Sequence, residues 1–250
     1  MTATEAQVVA RVFEPAPAQR FQMPCHYLLH AEQGALLLEA GGLRWTLPPA
    51  RAALVAADEP VLVSLPQRVV ACSALFSPSF VSDPPTPLSV FDMSPLGREL
   101  LKALRGVDGH ETLDSHATAL FRALAEVAWA LSRTPSPAVM PVARSPQLRR
   151  ALALMEARLD QDQGFEALAA EVALSPRSLA RRFSGEMALT WRQALRRLRM
   201  VRAVELLAQD GLSITEVGMS VGYASLSAFN AAFRDFAGQT PSDYRASFRS

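Results

Sequence analysis

Arg177 and Arg181 stand four residues apart, with Ser178 and Arg182 beside them. A guanidinium is a planar fork of N–H donors, and its spacing matches a phosphate or the O6/N7 edge of guanine. Residues four apart lie one above the other on an α-helix, so both arginines leave the same face. Leu179 and Phe183, also four apart, mark the opposite, inward face. The chemistry this suggests is nucleic-acid recognition, with side chains near a helix N-terminus reaching bases and the flanks touching phosphates. An ordinary helical hairpin with a solvated basic face would carry the same local pattern.

A recognition helix needs a partner helix to hold it. Phe165–Val172 supplies one, with Leu168, Ala169 and Val172 on one face. Ala173-Leu174-Ser175 forms the corner, Ser175 can cap the next helix, and Pro176 suits its first position. The pattern then recurs about fifty residues on. Ile214 and Val217 lead to Gly218 at the small crossing position, then the corner Val221-Gly222-Tyr223. Ser225 caps a helix carrying Phe229, Phe233 and Phe236. Chance is a poor explanation for such a repeat. The outward face of this second helix holds Ser227 and Ala231, with Asn230 and Arg234 nearby.

Between the units, Thr190–Ala208 reads as one helix of about 19 residues and so about 28 Å. Successive major grooves on one face of DNA lie about 34 Å apart, a span such a helix can bridge. Trp191, Leu195, Leu198 and Val201 form its inward stripe. Among its five arginines, Arg192, Arg196 and Arg197 are the phosphate candidates. Others are expected to pair internally, for example with Glu205.

The charge balance agrees. Residues 1–144 carry 11 Lys+Arg against 13 Asp+Glu, whereas residues 145–250 carry 14 Arg against 11. Lys102 is the only lysine, a bias that fits bidentate recognition but equally fits a GC-rich gene. Cys25 and Cys72 have no C-x-x-C spacing, so neither a disulfide framework nor a zinc site is implied. No basic-then-apolar leader and no apolar run of about 18 residues occurs, which leads us to expect a cytoplasmic chain with no membrane partner.

The first half reads as β-rich. Residues 1–20 lack clear periodicity and suit a loose arm or edge strand. Leu36–Ala40, Gly41-Gly42 and Leu43–Leu47 form a hairpin pattern, because glycine permits the positive φ of a tight turn. Apolar runs follow at 52–57, 61–65 and 69–76, which suggests a barrel or sandwich. Four prolines in 78–87 end that region. Helical spacing then appears at Leu96–Leu104 and over 113–131.

The runs GYASLSAFNAAFRDFAGQTPSDYR (222–245), RMVRAVELL (199–207), LSITEVG (212–218) and LSPRSLARRF (174–183) closely resemble the signature of the AraC family of transcription regulators. The resemblance covers about 100 residues, from Ser145 onward. It implies an α+β multidomain chain: a cupin-like β-barrel with helices, then an all-α domain of two helix-turn-helix units joined by a long helix. We divide it as 1–134 for sensing and dimerisation, 135–146 as a Pro-rich linker, and 147–250 for DNA binding.

The partners implied are double-stranded DNA, RNA polymerase, a small-molecule effector and a second copy of the chain. The family's base-reading positions fall on Arg177, Arg181, Ser227 and Ala231. Ser178, Arg182, Ser225, Asn230 and Arg234 complete the expected DNA-contacting set. Ala231 departs from the longer polar residues usual there, so the first unit should dominate sequence choice. Gly218 replaces a usual alanine, a change expected to loosen its helix by roughly 1 kcal/mol.

For the barrel, the resemblance suggests an effector pocket that His26 and Trp45 could line, although both also suit partly buried barrel positions. Metal cupins need clustered His and Glu ligands. Here His26, His30 and Glu39 are the candidates, and the second strand group lacks a histidine, so no metal or cofactor is expected. Two other classes stay open: a helical protein-interaction module without DNA readout, and a cupin-type enzyme with an accessory helical domain. The enzyme reading lacks any phosphate loop, nucleophile elbow or H-E-x-x-H motif.

Overall fold

Two compact units make up the computed structural model, one formed mainly by residues up to Ser136 and one by Pro137–Arg245. The structure describes residues 5–107, 113–162, 164–208 and 211–249. The division falls inside the Pro-rich stretch at 135–146.

The first unit holds β1 (Ala6–Phe13), β2 (Ala16–Phe21), β3 (His26–Gln33), β4 (Leu36–Ala40), β5 (Leu43–Leu47), β6 (Arg51–Val55), β7 (Val61–Leu65), β8 (Val69–Phe76), β9 (Leu88–Asp92), α1 (Pro95–Ala103) and α2 (Ser115–Ser132). One sheet has the order β1-β8-β3-β6-β9, and in the other β5, β4, β7 and β2 lie side by side. Gly41 and Gly42 take φ of +56° and +77°, the twisted two-residue turn that the Gly-Gly pair suggested. Of the two forms expected for residues 1–20, a loose arm or an edge strand, Ala6–Phe13 and Ala16–Phe21 take the second as β1 and β2, each at an edge of its sheet. The β region also runs past the prolines into β9, which pairs antiparallel with β6 from Val55↔Leu88 to Arg51↔Asp92.

Side chains alternate across a strand, and here both faces of the central sheet are covered. Tyr27, Ala31, Ala53, Val55 and Ala71 join Leu36, Leu38 and Val61 in the core between the sheets. Leu28, Ala52, Leu54, Cys72 and Phe76 face the other way, into a core closed by Leu101, Phe121, Leu124 and Trp129 of α1 and α2. This double burial is why β6 and β8 read as continuous apolar runs rather than alternating ones. The result is two facing antiparallel sheets with helices against one of them.

The second unit contains β10 (Val139–Pro141), α3 (Pro146–Ala157), α4 (Phe165–Glu171), α5 (Pro176–Met187), α6 (Trp191–Leu207), α7 (Ile214–Ser220), α8 (Leu226–Ala237) and α9 (Pro241–Arg249). The N-termini of α3, α5, α6, α7 and α8 are each capped by a Ser or Thr hydroxyl that accepts a backbone N–H. The expected linker is therefore partly ordered, since it includes β10 and the cap Ser145.

Candidate nucleic-acid interface

The first helix pair turns on a residue in the left-handed region. Val172 ends α4 at φ −102° and ψ 13°, and Ala173 follows at φ +55°. The Leu174 N–H donates back to the Ala169 carbonyl at 2.9 Å, which closes the corner. Ser175 accepts the Ser178 N–H at 3.2 Å and starts α5. Leu179, Phe183 and Met187 of α5 are buried against the unit's core, leaving Arg177 and Arg181 exposed on the far side. Ser178 is half-buried, and its Oγ lies 2.9 Å from that of Ser175.

Beside α5 runs a groove of 730 Å³, lined among others by Phe165, Arg177, Ser178, Arg181, Trp191 and Arg192. The rings of Phe165 and Trp191 pack 5.2 Å apart and form its apolar wall. Thr190 and Gln193 build a capping box at the start of α6, which borders the same groove. Arg177, Arg181 and Arg192 have no acidic partner among the described residues. The groove thus gathers three uncompensated guanidinium groups at a helix N-terminus, a setting suited to a phosphate backbone.

Arg182 belongs elsewhere. Its Nη1 lies 3.5 Å from Glu186 Oε1. The other oxygen of Glu186 accepts the N–H groups of Arg144 at 2.7 Å and Ser145 at 2.8 Å. Burial alone would raise the Glu186 pKa, but these donors and the Arg182 charge outweigh it and hold the carboxyl below its ordinary value. Arg182 therefore helps anchor the start of α3 instead of lying free on the recognition flank.

The second unit repeats the first closely. Val221 ends α7 at the same φ −102° and ψ 13°, and Gly222 then takes φ +84°. Ala169 and Gly218 are 49 positions apart, whereas Leu179 and Phe229 are 50 apart, so the second corner is one residue longer. A Cβ on Gly222 would sit 2.1 Å from the Leu159 carbonyl oxygen, so space as well as φ demands glycine. Arg199 donates from Nε to that same carbonyl at 3.1 Å and lies 5.9 Å from the Tyr223 ring centre. It bolts this corner to the end of α3, a role that its place among helix arginines did not reveal.

On α8, Phe229 and Phe233 are buried while Ser227, Ala231 and Arg234 are exposed. Ser225 accepts the Ala228 N–H at 3.2 Å and stays a cap. Asn230 is half-buried, with its Oδ1 enclosed, so it faces a base less openly than its position suggested. Gly218 is also better explained than by loosening alone. A Cβ there would approach Phe229 Cγ to 3.0 Å, so the glycine makes room for a phenylalanine where the first unit pairs Ala169 with Leu179.

The connecting helix α6 has 17 residues, about 26 Å of axis. Its buried side includes Ala194, Leu198, Val201 and Val204, while Trp191 and Leu195 are half-buried. The three phosphate candidates divide. Arg192 opens into the groove, Arg196 pairs with Asp235 of α8 at 2.6 Å, and Arg197 is half-buried with its Nε enclosed. Arg202 pairs with Glu205 at 2.9 Å, as its spacing suggested.

In the first unit, His26 and Trp45 do not share a pocket. Strand alternation turns His26 toward the helices, edge-on to Trp129 at 6.2 Å, with Nδ1 accepting the Ala57 N–H at 3.0 Å. Trp45 packs instead on the core between the sheets. Among the described residues no three His, Cys, Asp or Glu side chains gather as metal ligands, and His26, His30 and Glu39 are not brought together. Burial pushes the thiol pKa of both Cys25 and Cys72 up, away from the reactive thiolate. No described helix is long and apolar enough to cross a membrane.

Residues 168–247 match the model of a helix-turn-helix domain. The chain is similar to the HTH-type transcriptional regulator NimR of Escherichia coli K12, 28% identical over 227 residues, covering 88% of this chain and 79% of NimR. It is 35% identical over 100 residues to the HTH-type transcriptional regulator ArgR of Pseudomonas aeruginosa, covering 40% of this chain and 30% of that one. A crystal structure of a transcriptional regulator with an AraC-type DNA-binding domain from Chromobacterium violaceum is 32% identical, covers 40% of this chain and 90% of its own, and superposes with a TM-score of 0.39.

Proposed function

We propose that the chain is, through its C-terminal unit, an AraC-type helix-turn-helix transcription regulator that chooses its operator chiefly through Arg177 and Arg181 of α5. The observation that carries this reading is the groove at α5. Exposed Arg177 and Arg181 stand beside Arg192 with no described carboxylate to satisfy them. Arginine forks of this kind bind guanine edges bidentately in the major groove. The second unit offers Ser227 and Ala231 at the matching places, so it contributes position more than sequence choice. Ser178, Ser225, Asn230 and Arg234 flank the two reading faces, Arg192 takes a phosphate, and Arg182, Arg196 and Arg197 act as supports that hold the helices in place.

The α6 axis of about 26 Å, with its flanking turns, suits two helices entering successive grooves about 34 Å apart. The chain then works in the cytoplasm as a homodimer on double-stranded DNA, contacts RNA polymerase there, and answers to a small molecule held by its first unit.

The test is the set of genomic DNA fragments retained by the purified protein, with an Arg177→Ala/Arg181→Ala variant alongside. A shared motif that the variant loses supports the reading. An unchanged motif in the variant removes the role of Arg177 and Arg181, and retention without a motif favours a helical interaction module.

A further inference from the structure

The exposed face of α8 is apolar where that of α5 is basic. Leu179 and Phe229 hold matching places in the two units, and the same offset sets Ser227 against Arg177, Ala228 against Ser178 and Ala231 against Arg181. Leu226, the first residue of α8, stands against Pro176 and is 42% exposed. Ser227, Ala228 and Ala231 are exposed as well, and no charged side chain occurs between Leu226 and Ala232.

The polar groups at this end of α8 are committed locally. The Ser225 Oγ accepts the Ala228 N–H at 3.2 Å and lies 3.2 Å from the Ser227 Oγ, so each hydroxyl has the other as a partner. Asn230 is half-buried with its Oδ1 enclosed. Arg234 is exposed, but it follows Ser227 by about two turns. Residues near the N-terminus of a recognition helix are the ones that reach base edges, and here they offer no donor comparable to an arginine fork.

An apolar surface still discriminates between base pairs. In the major groove thymine presents a methyl group at C5, which small and apolar side chains meet by direct contact. We propose that α8 reads thymine through this methyl group, with Ala231 and Leu226 as the contact residues. At 100° per residue, Ala231 lies about 40° to one side of Ser227 and Leu226 about 100° to the other. The two are also about 7.5 Å apart along the axis, so they meet different base pairs. Burial of one methyl group changes affinity about fourfold, less than most arginine forks provide. The second unit therefore adds a weaker preference to the choice made by α5. This inference rests on the DNA-binding reading above and supplies the chemistry of its second half-site.

The experiment titrates the purified full chain against its selected operator and against copies in which each thymine in turn is replaced by deoxyuridine, which deletes the methyl group alone. At one or more thymines outside the positions relaxed by Arg177→Ala/Arg181→Ala, the replacement should weaken binding about fourfold. Leu226→Ser or Ala231→Gly should abolish that difference at its own position. The ratio of thymine to uracil affinity is read within each variant, so a general loss of stability does not move it. A second half-site without thymine, or one indifferent to uracil throughout, overturns the proposal and leaves the operator reading intact. A uracil effect that persists unchanged in both variants belongs to DNA shape and overturns it too. If no motif is retained at all, the DNA-binding reading fails and this inference falls with it.

Discussion

The Nη2 of Arg196 lies 2.6 Å from Oδ2 of Asp235, so a cation at the middle of the connecting helix is spent on the second recognition helix. Both side chains are more than half exposed, and such a pair contributes only about 0–1 kcal/mol to stability. Its larger effect is on DNA. Asp235→Asn should release Arg196 toward a phosphate and steepen the dependence of log K on log salt by about one unit. Binding titrations between 50 and 200 mM salt measure this slope, and an unchanged slope would mean Arg196 cannot reach the backbone.

Gly218 and Phe229 form a matched pair. Alanine would gain about 1 kcal/mol of helix propensity. Against that, its Cβ would press on Phe229 at 3.0–3.1 Å, and overpacking costs about 1–3 kcal/mol. Tyr223 and Phe233 flank the ring at 5.7 and 5.8 Å, so it has little freedom to move away. Gly218→Ala should therefore lower Tm alone, and Phe229→Leu should reverse much of that loss by recreating the Ala169–Leu179 pair. Additive effects in the double-mutant cycle would contradict the matching.

Glu186 should make the DNA-binding unit acid-sensitive. Burial raises its pKa, yet the Ser145 and Arg144 amides and Arg182 lower it further, so the net value in the fold is depressed. The ionised carboxylate then contributes stability above its ordinary value of 4.5, and this is lost as pH falls through the lower folded value. Glu186→Gln should melt below wild type at pH 7, and the gap should narrow under pH 4.5. A gap independent of pH would show that charge plays no part.

Much of the second unit was legible from spacing. Ser175 and Ser225 announce helix starts, and the recurring apolar pairs 179/183 and 229/233 fix which faces turn inward. The extra residue in the second corner, the Arg199 bolt and the diversion of Arg182 and Arg196 were not. Each depends on a partner 4 to 40 positions away chosen by packing, such as Leu159 for Arg199. In the first unit the hairpin at Gly41-Gly42 is a local signal. The placement of His26 and Trp45 in different cores is not, because it depends on which sheet each strand joins. β9 leaves little local signal because LSVFD follows a proline-rich segment and pairs with β6 residues 33 to 41 positions earlier.

The central claim is that Arg181 reads a base. Its most direct test is the affinity of Arg181→Ala for the selected operator and for random duplex of equal length, at one fixed salt concentration. The account predicts a loss of about 1–3 kcal/mol on the operator, a much smaller loss on random DNA, and relaxed preference at one position of the motif. Equal losses on both duplexes, with the motif intact, would contradict it and reduce Arg181 to a phosphate contact.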